Sequence, residues 1–292
     1  MKNDWNGKSK GKPWGYRFFI KIIHIFGVHF AYFFAIWVSL FYVIFAHKER
    51  KGLMQFFRVG MGYSGLQSLF ATIRTFYNFA TVIIDRFALR SSRKKEFKHT
   101  FKNMENLIQM DQDGKGGFLI SGHVGNWENA ADMLEDQIQH KTNVLMLDAE
   151  VQKIKEVIEE NTENNKFDII PIKDDLSHVI AIHQALKRGE LIALHADRVM
   201  NSDKVFEIPF LKGKALFPSG PFIMAFKFKA PVTFVYASKG KNKTYHLSCT
   251  TPIIGGVDVQ TPEELAHLYV KRLEEEVLAN PTQWFNFYKY FV

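Results

Sequence analysis

Hydrophobic and polar positions divide the chain into three stretches with different periods. From Ile22 to Ala46, 25 consecutive residues carry no charged side chain (IIHIFGVHFAYFFAIWVSLFYVIFA). A helix of that length covers the hydrocarbon core of a bilayer. The run is too long for a cleaved leader, and no small-residue cleavage site follows it. His24, His29 and Ser39 make it less greasy than a typical span, so an in-plane or dipping helix is the second reading. The two histidines read as interfacial or packing residues. Residues 52–105 carry apolar side chains at helical spacing, clearest in LQSLFATIRTFYNFATVIIDRF, and read as mostly helical.

From about Gly116 short apolar runs alternate with helical ones. The strand-like runs are GFLISG, NVLMLD, FDIIPI, LIALHA, APVTFVYAS and TYHLSCT. Helical patterns are expected over 125–139, 150–162, 175–188, 219–229 and 261–279, and a loop follows LIALHA. This alternation predicts an α/β fold with a mainly parallel central sheet flanked by helices, carried on an N-terminal membrane helix. In such sheets, sites form at the carboxyl ends of strands. The division expected is a basic segment at 1–21, a membrane-anchoring helix at 22–46 and one α/β domain at 52–292. The stretch NTENNK (161–166) reads as an exposed loop, and DGKGG (113–117) as a turn rather than a phosphate-binding loop.

Composition sharpens this picture. Hydrophobic residues make up 47% of 292, so a full core can be buried and general disorder is excluded. Many of the 28 Phe, 10 Tyr and 5 Trp sit in the first 80 residues, which points to a lipid interface. The net charge of +8 admits nucleic acid, an anionic membrane or acidic small molecules as partners. One basic cluster (Lys2, Lys8, Lys10, Lys12, Arg17, Lys21) precedes the apolar run, and a second (Lys48, Arg50, Lys51, Arg58) follows it. That bracketing favours a membrane surface, and no nucleic-acid signature accompanies the charge. With both flanks basic, the positive-inside rule does not set an orientation. The single cysteine, Cys249, excludes an internal disulfide and suits a cytosol-facing location; within YHLSCT it reads as a core residue.

The chemistry concentrates in FLISGHVGNWENAADML (118–134). His123 sits where an apolar strand gives way to a helix, and Glu128 follows five residues later. Gly125 lets the chain turn sharply, so the carboxylate can reach back to the imidazole. A carboxylate fixes the tautomer of a histidine and stabilises its imidazolium. The other ring nitrogen can then take a proton from an attacking hydroxyl. Without a serine, the acceptor's own oxygen is the nucleophile. Backbone N–H groups near Gly125 and Asn126, at a helix N-terminus, are candidates for the oxyanion site. Spacing alone carries little, since a His and a Glu five apart arise often by chance.

The context carries more. SGHVGNWE resembles the catalytic motif of the bacterial lipid A secondary (late) acyltransferases, relatives of the phosphatidylinositol mannoside acyltransferases. The block LIALHADRVMNSDKVFEIPFLKGKALFPSGPFIMAFKFKAPVTFVYAS resembles a second family stretch. The matching residues there are Asp197 and Arg198, Pro209, Phe210 and Gly213, then Gly220 and Pro221, and Ala230 and Pro231. PFLKGK has one more residue before its glycine than the family pattern. The ending NPTQWFNFYKYF resembles the family's closing Pro-x-Gln-Trp element, and the membrane helix fits as well, so the likeness spans nearly the whole chain.

The resemblance implies a glycerolipid acyltransferase-like domain over 52–292. It implies His123 as base and Glu128 as its acidic partner, with Gly125, Asn126, Trp127, Asp197 and Arg198 lining the substrate site. It implies an acyl carrier protein or coenzyme A thioester as donor, a hydroxyl of a membrane lipid as acceptor with a lipid A precursor foremost, and no metal or other cofactor. The expected place is the bacterial inner membrane, with the catalytic domain facing the cytoplasm. Two rival readings remain: a different lipid or polyene acceptor, and a non-catalytic lipid-binding protein on the same scaffold. For Arg198, phosphate binding and a loop-ordering pair with Asp197 stand level. His195 is a candidate site-lining residue. Lys212, Lys214, His178 and His183 read as surface or packing residues.

Overall fold

The computed structural model describes residues 22–23, 25–127, 130, 137–147, 167–173, 175, 177–199 and 204–292. The basic segment at 1–21, His24, Glu128 and the loop at 161–166 lie outside them. So does the helix expected over 150–162, along with most of the one over 125–139.

The apolar run forms helix α1 (Val28–Phe45), which is long and apolar enough to cross a membrane. Helix α2 (His47–Gln55) and a π-turn (Phe56–Gly60) follow. Helix α3 (Gly65–Leu89) starts at a capping box in which Ser64 and Gln67 exchange side-chain and backbone hydrogen bonds. The two long helices run antiparallel. Val28 and Ala31 of α1 share a buried cluster with Ile84 and Ala88 of α3, while Tyr42 stacks on Phe76.

Among the described residues, seven strands form one sheet in the order β1 (Lys98–Lys102), β9 (Thr244–Cys249), β8 (Val232–Lys239), β2 (Gly117–Ser121), β5 (Leu191–His195), β3 (Thr142–Leu147) and β4 (Phe167–Ile172). Every neighbouring pair is parallel except β8 and β9. The expected α/β architecture is therefore present. Strand β2 lies in the middle with all five residues buried, which is why it reads as an unbroken apolar run. Helices α4 (Met104–Gln112), α5 (Ser177–Lys187), α6 (Gly220–Phe228) and α7 (Pro262–Ala279) accompany the sheet. The side chain of Thr261 caps α7 by accepting from the Glu264 N–H.

The stretch 52–105 is mostly helical, as expected, and within it Lys98–Lys102 is an edge strand paired in parallel with β9. Its residues are mostly exposed, so no alternation marks it, and a pairing partner nearly 150 residues away creates it. The supposed loop after LIALHA contains a two-stranded hairpin, β6 (Val205–Phe210) and β7 (Gly213–Pro218). Its turn places Leu211 at a φ of 54°, and the Leu211 N–H donates to Glu274 Oε2 at 3.0 Å. The extra residue in PFLKGK belongs to this turn.

Candidate active site

The site follows from strand register. Parallel strands β2 and β5 are adjacent, with Ser121 opposite His195. Two residues beyond each carboxyl end lie His123 and Asp197. The Ala196 N–H donates to the Ser121 carbonyl at 3.0 Å and holds the two exits together. His123 Nδ1 then meets Asp197 Oδ1 at 2.7 Å, and the His123 backbone N–H donates to Asp197 Oδ2 at 2.8 Å. Gly122 leaves room for this contact, since a Cβ there would lie 3.3 Å from Asp197 Cγ and 2.9 Å from Leu273 Cδ1.

Asp197 is fully buried. Burial opposes its ionisation, but the charge and hydrogen bond of His123, with the Arg198 charge, outweigh that and hold the carboxyl well below the usual range. Its oxygen Oδ2 also accepts from Trp284 Nε1 at 3.0 Å. Trp284 is itself fully buried among Phe56, Phe210 and Tyr290. The C-terminal segment straps the His123 turn at three more points. Phe285 N–H donates to the His123 carbonyl, Gly125 N–H to the Gln283 carbonyl, and Arg198 Nη2 to the Phe285 carbonyl, each at 2.9 Å. The Gln283 side chain in turn bridges the backbone N–H and C=O of Lys239 at the end of β8.

A second imidazole completes the site. The His195 ring lies 4.6 Å from His123 and 4.3 Å from Trp127, centroid to centroid. Its Nδ1 is buried without a hydrogen-bond partner among the described residues. Burial first, then the His123 and Arg198 charges, hold its pKa down to about 3. The unfolded chain takes up a proton here near pH 6.5, whereas the folded one does so only near 3. Between these values the unfolded state binds more protons, so stability falls as pH falls, by up to about 1.4 kcal/mol per pH unit. His195→Gln is expected to flatten the stability profile between pH 6.5 and 4; an unchanged slope in detergent-phase denaturation would refute the assignment.

Of the site residues expected from sequence, the structure brings His123, Trp127, Asp197, Arg198 and His195 together. Glu128 lies outside the described residues, and the carboxylate on His123 Nδ1 is that of Asp197. Of the amides expected near Gly125 and Asn126 for an oxyanion site, the two residues' own N–H groups are already engaged. Gly125 N–H is held by Gln283, and Asn126 N–H donates to the Ala237 carbonyl at 2.8 Å. The turn is held between β8 and the C-terminal strap, which consume one donor each. Gly125 has a φ of +67°, and a Cβ there would sit 2.1 Å from the Ala237 oxygen. Gly125→Ala should therefore lower stability by at least about 2 kcal/mol, read as a drop in thermal unfolding midpoint.

The remaining residues behave as their surroundings dictate. Arg198 donates to Phe285, while the Asp197 carboxylate serves His123 and Trp284, so the loop-ordering pair with Asp197, one of the two level readings of Arg198, is not the contact formed. Lys214 pairs with Glu207 at the surface, and His183 stacks on Phe228. Cys249 is buried in β9, its thiol donating to the Asn103 carbonyl and pushed up in pKa by burial, as a packing residue. Trp284 was not singled out from sequence. The signal for it was the closing PTQW element, which gives no hint of a partner 87 positions earlier.

The fold and site together are a mainly parallel α/β sheet with a His–Asp pair at the carboxyl edge of two central strands. The chain belongs to the bacterial lipid A biosynthesis acyltransferase family, whose model matches residues 66–292. It is accordingly an acyltransferase. No curated protein sequence matches it.

Proposed function

We propose that the chain transfers a fatty acyl group from an acyl carrier protein or coenzyme A thioester to a hydroxyl of a membrane lipid, foremost a lipid A precursor. The observation that supports this most directly is the 2.7 Å contact between His123 Nδ1 and Asp197. An ionised Asp197 keeps the proton on Nδ1 and the lone pair on Nε2. Nε2 takes the acceptor's hydroxyl proton as its oxygen attacks the thioester carbonyl. The C–S bond then breaks, and the imidazolium returns the proton to the departing thiolate. The transfer balances without a covalent enzyme intermediate, and this reading routes no step through a metal.

Asp197 holds the base, and Trp284 with the C-terminal strap holds Asp197. Glu128, the motif's own carboxylate, keeps the second acidic role in this reading. Arg198 is the candidate cation for a phosphate of either substrate, because its fork suits phosphate oxygens. The apolar helix α1 suits attachment to the bacterial inner membrane with the site on the cytoplasmic side.

The test incubates the purified full chain in mixed micelles with acyl carrier protein and coenzyme A thioesters of defined length and a lipid A precursor. Mass analysis should show the precursor gaining one acyl mass. Turnover of thioester onto other membrane lipids alone would move the acceptor assignment elsewhere. Binding of lipid without thioester consumption would support the scaffold reading instead.

A further inference from the structure

The fold says more about α1 than that it is apolar. Its buried positions Val28, Ala31, Ala35, Ser39 and Val43 form one stripe along the whole helix. Between the first and the last lie about 22 Å of helix axis. Over that length the stripe is covered by the catalytic domain. Near its start the Tyr32 hydroxyl donates to Asp85 of α3, a fully buried carboxylate that also takes Lys239 Nζ at 2.6 Å and the Tyr245 hydroxyl. Lys239 and Tyr245 belong to β8 and β9, so the central sheet itself reaches α1 here. Near its end Tyr42 stacks on Phe76, and Arg50 donates to the Val43 carbonyl at 2.9 Å.

The opposite face is bare and aromatic: Phe33, Trp37, Phe41 and Phe45 are each at least 55% exposed. A second bare patch lies on the first turns of α3, where Leu66 is 71% and Phe70 68% exposed. Soluble surfaces seldom leave such side chains in water. Exposed cations accompany them, with Lys51 and Arg58 between the helices and Arg74 one turn beyond Phe70.

We propose that α1 and the first turns of α3 lie together in one leaflet, parallel to the membrane plane, and that α1 does not cross the bilayer. A crossing α1 would drag its covered flank into hydrocarbon, including the exposed guanidinium of Arg74, where no water solvates it. In the plane, the aromatic face enters the acyl region while Lys51, Arg58 and Arg74 reach anionic headgroups. The occupant of both patches is therefore an anionic lipid leaflet. The inference rests on packing and exposure, independently of the acyltransferase reading. It also sets the site close to the leaflet, since Asn78 of α3 donates to Thr282 of the C-terminal strap and Phe79 packs on Phe285.

Site-directed spin labelling of the full chain tests it. In a Cys249→Ala background, single cysteines replace Phe33, Trp37, Phe41, Phe45 and Phe70, and the labelled protein is reconstituted into phosphatidylethanolamine–phosphatidylglycerol vesicles. Oxygen and nickel-chelate accessibilities then give each depth. The in-plane arrangement expects one common depth for all five, about 5–10 Å below the headgroups. A spanning helix would put Trp37 near the midplane and Phe45 about 12 Å shallower, which overturns the proposal. So would Phe70 in water, or labels that couple to each other across two copies while staying shielded from lipid.

Discussion

Asp197→Asn is expected to cut turnover by roughly 10⁴-fold while leaving the protein folded. The reason is the wiring of the carboxylate. Oδ2 accepts two hydrogen bonds, from the His123 backbone N–H and from Trp284 Nε1, and Oδ1 faces His123 Nδ1. An asparagine must keep its oxygen toward the two fixed donors, which turns its NH₂ toward Nδ1. The imidazole then has to accept at Nδ1 and carry its proton on Nε2. That tautomer cannot take a proton from the attacking hydroxyl. Binding of the thioester should change little, so the loss falls on kcat rather than on KM. His123→Ala should be at least as damaging, and the double variant no worse than His123→Ala alone, because the two residues act as one unit. Initial rates by thioester consumption, with a thermal midpoint for each variant, decide the matter. Asp197→Asn within tenfold of the wild type would remove Asp197 from its role, and Glu128→Gln run alongside shows how much the motif's own carboxylate contributes.

Lys239→Met should cost about 3–5 kcal/mol, since it strips the cation from a buried ion pair. Asp85 is fully buried and Lys239 largely so, and each ion needs the other. Burial pushes the Asp85 carboxyl up, against the pull of Lys239, and pushes the Lys239 ammonium down, against the pull of Asp85. With methionine in place, the Asp85 pKa in the folded state rises further above its unfolded value near 3.9. The folded state then binds the extra proton, so the variant loses stability as pH rises above about 4. It should melt higher at pH 5 than at pH 8. Asp85→Asn added to Lys239→Met should recover part of the loss by removing the unpaired charge. A Lys239→Met protein as stable as the wild type at pH 8 would show that the pair holds nothing. Because the Asp85 cluster joins α1, α3 and the sheet, its loss should also loosen the membrane helix from the domain.

Much of the architecture was legible because it rests on short-range patterns. The unbroken apolar run of β2, the alternation of strands with α5, α6 and α7, and the charge-free stretch of α1 each announce themselves within a few residues. Not legible were elements whose reason lies elsewhere in the chain. Lys98–Lys102 becomes a strand because β9 offers it an edge, and Val205–Pro218 becomes a hairpin because Glu274 and the C-terminal segment hold its turn and flank. The Gly125 and Asn126 amides looked available at a strand–helix junction, but only the position of β8 and Gln283 reveals that they are taken.

The sequence by itself determined the class of fold, the place of His123 at a strand exit and the apolar character of α1, because each is written in local periodicity and composition. The tertiary structure alone decided that Asp197 grips the imidazole, that Trp284 grips Asp197, and that the domain covers one whole side of α1. Those facts come from parallel register between β2 and β5 and from a C-terminal strap that closes over both. Contacts between residues 74 and 87 positions apart leave no trace in the spacing of neighbours.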